Sequence, residues 1–119
     1  MYRLTKRAKI EVAHFLPKHK GKCKQLHGHS LEIEVELTAS KLNDDGMVAD
    51  FGDVKGIIEL YDHQCLNEME PFNSGVDPTS ENLARLIAER CAESFDELQC
   101  VEVRVTETEG SEIYYTLDC

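Results

Sequence analysis

The stretch His27-Gly28-His29-Ser30-Leu31-Glu32-Ile33-Glu34-Val35-Glu36-Leu37-Thr38-Ala39-Ser40 decides the fold. From Leu31 to Leu37 every odd position is apolar and every even one is glutamate, the period of two expected of a strand with one buried face. Counting back along the odd register puts His29 and His27 on the apolar side, because side chains two apart on a strand share a face. Gly28 between them removes bulk from the opposite face. Upstream, residues 2–16 repeat the pattern with even positions inward. Tyr2, Leu4, Ala8, Ile10 and Val12 are apolar, Arg3, Arg7, Lys9 and Glu11 fall between them, and His14 continues the inward register. Pro17 ends this strand, and a loop over 17–26 makes the two strands neighbours. Three imidazoles are therefore expected to converge, provided no bulge shifts the register.

Downstream, Asn43-Asp44-Asp45-Gly46 reads as a turn and Met47-Val48 as a short extended segment. From Gly52 or Asp53 the period becomes helical, with Val54, Ile57, Ile58 and Tyr61 on one stripe. Residues 64–78 look irregular, with Pro71, Gly75 and Pro78. Thr79 or Ser80 then caps a second helix whose stripe is Leu83, Leu86, Ile87, Cys91 and Phe95. Val101, Val103 and Val105 mark a strand over 99–108 whose inward register continues to Glu107, and Ile113, Tyr115 and Leu117 mark the last strand. The order β-β-α-α-β-β implies an α+β fold, an antiparallel four-stranded sheet with both helices on one face. Open sheet edges of this kind invite pairing between subunits, so an oligomer is expected rather than a monomer.

With 119 residues the chain is expected to form a single domain over 1–119. Charges interrupt every apolar window in the first forty residues, which argues against export and membrane insertion and for a cytoplasmic protein. The five cysteines are odd in number and lack framework spacing, which argues for a reducing compartment; all but Cys23 read as ordinary. The net charge of −10 disfavours nucleic acid as a partner. Residues 1–24 nevertheless hold eight basic residues against one acid, four of them lysines within 18–24. That loop suits a small phosphorylated substrate, or is simply a solvated lysine face.

Three histidines with an open fourth position point to zinc used as a Lewis acid. Cys23 is either a fourth ligand closing a structural zinc or a reactive thiol beside the metal. Asp62-His63 is either a carboxylate orienting an imidazole for proton transfer or helix-dipole compensation at a helix end. An ionised Glu107 on the buried side of a valine strand needs donors, which two parallel N–H groups of a pterin or guanine edge would supply; otherwise it is a strand end in solvent. His19 reads as a surface residue.

Six short blocks in order, Val12-Ala13-His14, Lys22 to His29, Gly46 to Phe51, Asp62 to Asn67, Pro78 to Asn82 and Val105 to Thr108, are similar to those of the 6-pyruvoyl-tetrahydropterin synthase superfamily. Within it the chain most resembles the 6-carboxy-5,6,7,8-tetrahydropterin synthase branch, where three residues separate the cysteine from His-Gly-His, as they separate Cys23 from His27 here. The resemblance implies a tunnelling fold whose subunits join edge to edge into a trimeric barrel, two trimers stacking into a homohexamer with active sites between subunits. It implies Zn2+ on His14, His27 and His29, proton transfer by Cys23, Asp62 and His63, and pterin anchoring by Glu107. Thr79, Ser80 and Thr106 would be weaker ring contacts. The implied substrate is 7,8-dihydroneopterin triphosphate, converted to 6-carboxytetrahydropterin, acetaldehyde and triphosphate on the route to queuosine. The alternatives are a pyruvoyl-forming synthase that keeps all carbons, and a non-catalytic module built on a structural zinc.

Overall fold

A computed structural model describes residues 1–118. The order of regular elements is β1 (Tyr2–His14), β2 (His27–Ala39), α1 (Phe51–Glu59), β3 (Gln64–Cys65), α2 (Ser80–Ser94), β4 (Cys100–Thr108) and β5 (Ser111–Leu117). The sheet order is β3-β1-β2-β4-β5. Four strands pair antiparallel, as the alternation requires. The expected four-stranded antiparallel sheet is corrected to a mixed sheet of five by β3, which adds parallel to the end of β1 through Val12–Gln64 and Ala13–Cys65. Two residues are too few to display a period, so this pairing leaves no local pattern in the sequence.

The register follows from the apolar faces. Leu4 lies opposite Leu37, Ile10 opposite Leu31, Ile33 opposite Val105 and Val35 opposite Val103, and all eight side chains are buried. A slip by one residue would turn the glutamates of β2 into this core. On the other face the charges pair: Arg7 with Glu34 at 2.7 Å, and Arg104 with Glu34 and Glu112 at 3.1 and 3.4 Å. The glutamate run of β2 is thus partly neutralised by arginines on β1 and β4, the latter shared with Glu112 of β5.

Both helices cover the apolar face, α1 over β1 and α2 across β4 and β5. Asp50 caps α1 by accepting the Gly52 N–H at 2.6 Å, and Val54 and Ile58 point into the core. Thr79 caps α2 by accepting the Asn82 N–H at 3.1 Å, and Leu83, Ala84, Ile87, Ala88 and Cys91 form its buried stripe. Burial in that stripe pushes the Cys91 thiol up to about 12. Arg90 Nε donates to the hydroxyl of the buried Tyr61 at 2.6 Å, satisfying its polar end beside α1.

Met47-Val48 is not extended. Asn43 gathers it into a turn, its side-chain oxygen accepting the N–H groups of Asp45 and Met47, both at 3.0 Å. Gly46 takes the positive φ of 78° that the turn requires. Cys100, read from the sequence as ordinary, is disulfide-bonded. The reading of Cys119 as ordinary lies outside the described residues. Among the described residues no helix is long and apolar enough to cross a membrane.

Candidate functional site

Register brings the three histidines together. His14 stands directly opposite His27 and Val12 opposite His29, so the rings share the inward face at one end of β1 and β2. Their centroids are 4.6 Å apart for His14–His27, 4.7 Å for His27–His29 and 5.0 Å for His14–His29, with the rings edge to face. One ligand nitrogen from each lies within 4.8 Å of the other two. This is the convergence that the paired odd and even registers predict.

The donor set fits a divalent ion. His14 Nδ1 lies 2.7 Å from the Pro78 carbonyl and His27 Nδ1 lies 2.7 Å from the Gln25 carbonyl. A carbonyl only accepts, so each Nδ1 carries the proton and each Nε2 is left with a lone pair. Both Nε2 atoms are buried without a hydrogen-bond partner. Two orphaned acceptors facing a third imidazole are costly unless something electrophilic is shared among them. Burial lowers the pKa of His14, and the neighbouring His27 and His29 lower it further, against the opposing pull of Pro78 and Glu107. The neutral imidazole so favoured is the form that binds a metal.

Cys23 lies in a single 3-10 turn, Lys22–Lys24, pinned beside the end of β1 by the Leu16 N–H donating to the Cys23 carbonyl at 2.7 Å. It is half-buried, and its sulfur is not part of the three-histidine donor cluster.

Glu107 faces the same side of the sheet as His14. It is the extra residue of a bulge, since Thr106 pairs with Glu112 and Thr108 with Ser111. Ser80, the first residue of α2, donates its hydroxyl to Glu107 Oε1 at 2.5 Å. One carboxylate oxygen is thereby engaged, and the other has no hydrogen-bond partner among the described residues. Thr79 spends its hydroxyl on the helix cap. Thr106 pairs with Glu32 and Glu112, and by alternation from the buried Val105 it points to the opposite face.

Asp62 and His63 form a pair of their own, His63 Nδ1 lying 3.1 Å from Asp62 Oδ1. Backbone bonds to Glu11 hold both: the Glu11 N–H donates to Asp62 Oδ1 at 2.8 Å, and the His63 N–H donates to the Glu11 carbonyl at 2.6 Å. The Glu11 N–H, with His63 beside it, holds the Asp62 carboxyl below the usual carboxylate range. His63 has a positive φ of 58°, and its side chain is 79% exposed. It borders an open hollow of about 490 Å³ whose lining includes Glu11, Ala13, Gly28, His29, Ser30 and Cys65. No hydrogen bond joins Cys23 to Asp62 or His63 within the chain. The structure assembles the three histidines with Glu107, held by Ser80, on the same side of the sheet, and pairs Asp62 with His63 at a hollow that His29 also borders.

Three supports carry no signature in residue type. The Pro78 and Gln25 carbonyls orient two of the imidazoles, and Asn67 clamps the residue after His14. Its side chain accepts the Phe15 N–H at 2.9 Å and donates to the Phe15 carbonyl at 3.0 Å. All three residues lie in the blocks that carry the family resemblance, which marks their positions but not what their groups do.

The family model described as 6-pyruvoyl tetrahydropterin synthase matches residues 3–118. A Bacillus subtilis protein named 6-carboxy-5,6,7,8-tetrahydropterin synthase is 32% identical, the match covering 96% of this chain and 84% of that protein. An Archaeoglobus fulgidus protein named as a putative 6-carboxy-5,6,7,8-tetrahydropterin synthase is 38% identical over 87% of this chain and 88% of its own length. Among solved structures, Caenorhabditis elegans 6-pyruvoyl tetrahydropterin synthase superimposes with a TM-score of 0.77 at 24% identity, covering 98% of this chain and 96% of that one. At that identity the likeness is one of fold.

Proposed function

Since the chain belongs to the 6-pyruvoyl tetrahydropterin synthase family and is an enzyme of the pterin-synthase type, we propose that it is a zinc-dependent carbon–carbon lyase. The substrate is 7,8-dihydroneopterin triphosphate. With one water it yields 6-carboxy-5,6,7,8-tetrahydropterin, acetaldehyde and triphosphate, on the route to 7-deazapurines such as queuosine. The observation that carries the reading is the set of three convergent imidazoles, two with buried, unpartnered Nε2 atoms. The carboxy-forming branch is supported by the names of relatives at 32–38% identity and by the three residues between Cys23 and His27.

His14, His27 and His29 would hold Zn2+, which when bound supplies Lewis-acid polarisation of a substrate oxygen. Glu107, steadied by Ser80, accepts paired N–H donors from the pterin edge and fixes the ring's orientation. Thr79 is assigned a weaker ring contact, and Thr106, which points to the opposite face, is not. Cys23 takes a proton from the substrate side chain, and His63, oriented by Asp62, moves protons through triphosphate elimination and retro-aldol-type cleavage. Because His63 stands exposed beside the half-buried Asp62 at the β1 edge, with no hydrogen bond from either to Cys23, we assign the pair to the site of a neighbouring copy, in a homohexamer of two stacked trimers.

The test is to incubate protein of measured zinc content with 7,8-dihydroneopterin triphosphate and identify the products by mass. Acetaldehyde with the 6-carboxy pterin is expected. Recovery of unchanged pterin from zinc-loaded protein ends the reading, and a product retaining every carbon moves the chain to the pyruvoyl-forming branch.

A further inference from the structure

The loop between the two histidine-bearing strands carries Lys18, Lys20, Lys22 and Lys24, with no acid from Phe15 to Leu26, in a chain of net charge −10. All four lysines are exposed. Lys18 Nζ lies 3.4 Å from Asp77 Oδ2, whereas Lys20, Lys22 and Lys24 have no carboxylate partner among the described residues. Like charges so close repel, and a free loop would spread them apart. This loop instead folds tightly. The His19 N–H donates to the Leu16 carbonyl at 3.0 Å, the Lys24 N–H to Gly21 at 3.2 Å and the Gln25 N–H to Lys22 at 3.0 Å. The Gly21 N–H donates to His19 Nδ1 at 2.9 Å, and a Cβ on Gly21 would lie 3.0 Å from that ring, so glycine lets the ring close over the turn.

The loop is also continuous with the histidine cluster. Leu16, two residues past His14, holds the Cys23 carbonyl, and the Gln25 carbonyl holds His27. A ligand oxygen at the three imidazoles therefore lies beside a turn with three unpaired ammonium groups, two of them flanking Cys23. We infer that loop 18–24 is a polyanion subsite in which Lys20, Lys22 and Lys24 grip the phosphate chain of the substrate. The identity of that substrate rests on the proposed function; the positive, pre-folded turn does not. Charge-assisted bonds to phosphate hold the tail on the solvent side of Cys23, leaving the side-chain carbons between the thiol and the histidines.

The full-length, zinc-loaded protein is compared with the Lys20→Ala/Lys22→Ala/Lys24→Ala variant and with Lys22→Glu alone. In both, KM for the triphosphate substrate should rise about tenfold or more, and kcat/KM should lose most of its dependence on ionic strength. Inhibition by 7,8-dihydroneopterin, which lacks phosphates, should be unchanged. An unaltered KM with an unaltered salt dependence overturns the subsite. Binding of inorganic triphosphate separates this outcome from failure of the proposed reaction. If the wild-type protein does not turn over the pterin but binds triphosphate at least tenfold more tightly than the triple variant, the reaction falls and the subsite stands. Equal binding by the two proteins removes the subsite.

Discussion

At the residue scale the chemistry rests on a few atoms whose alternatives are poor. A buried Nε2 with nothing to accept from is tolerated in the folded chain when an ion satisfies it. His27→Ala should therefore lose tightly bound zinc while retaining its far-UV circular dichroism, and a full zinc equivalent per chain in that variant would contradict the proposed ligand set. Ser80→Ala removes the donor on Glu107 Oε1; KM for the pterin should rise with zinc content unchanged, whereas a loss of zinc would mean that Ser80 acts through the metal site. Asp62 offers a pH test. A carboxyl that holds its proton less tightly folded than unfolded contributes stability that is fully present above its unfolded pKa, near 3.9, and is lost as pH falls through its lower folded value. Asp62→Asn should thus be less stable than the parent above about pH 4, and the gap should close on further acidification. Denaturant titrations at several pH values measure it, and a gap of constant size would assign the cost to something other than ionisation.

At the scale of elements, β2 carries the fold. It is central, with β1 and β4 on its two sides, and Ile33 at its middle is fully buried opposite Ala8 and Val105. Ile33→Ala should cost about 2–5 kcal/mol in denaturant unfolding, with the spread set by how far the helices settle into the cavity. Thr79→Ala should cost about 1 kcal/mol through loss of the α2 cap. The alternation of glutamate with Leu31, Ile33, Val35 and Leu37 made β2 and its register legible without a structure, because a period of two with one charged face has a single sensible placement. The histidines were legible for the same reason, being extensions of that period. The parallel β3 was not, since Gln64 and Cys65 join the sheet through a backbone edge that β1 presents. Glu107 was correctly read as inward although it sits in a bulge, while Thr106, read as a ring contact from the resemblance, falls on the opposite face.

At the scale of the molecule, the free length of β1 and the outer side of β5 are open edges, β3 covering only the end of β1. Such edges are suited to pairing with further copies of the chain. If Asp62 and His63 serve a neighbour, mixing inactive Cys23→Ala and His63→Ala chains after dissociation should restore part of the activity, because some mixed sites receive both intact groups. Absence of any recovery in a verified mixed assembly would return the proton-transfer residues to one chain. What the sequence could not disclose at this scale is where the pair stands relative to Cys23, since that depends on the backbone of Glu11 holding Asp62 and His63 at a sheet edge.

Pro78, Thr79 and Ser80 are consecutive, and each is tied to something different: a ligand imidazole, the first turn of α2, and the Glu107 carboxylate. Three successive residues on a helix entrance thus act as a gauge, setting the span between the histidine cluster and the Glu107 carboxylate. A molecule whose ring and side-chain oxygens are spaced one bond too far or too near engages one end and forfeits the other. Under the proposed function, substrate choice by length then resides in a peptide segment that need not touch the reacting carbons, and inserting a single residue between Pro78 and Ser80 would recalibrate it.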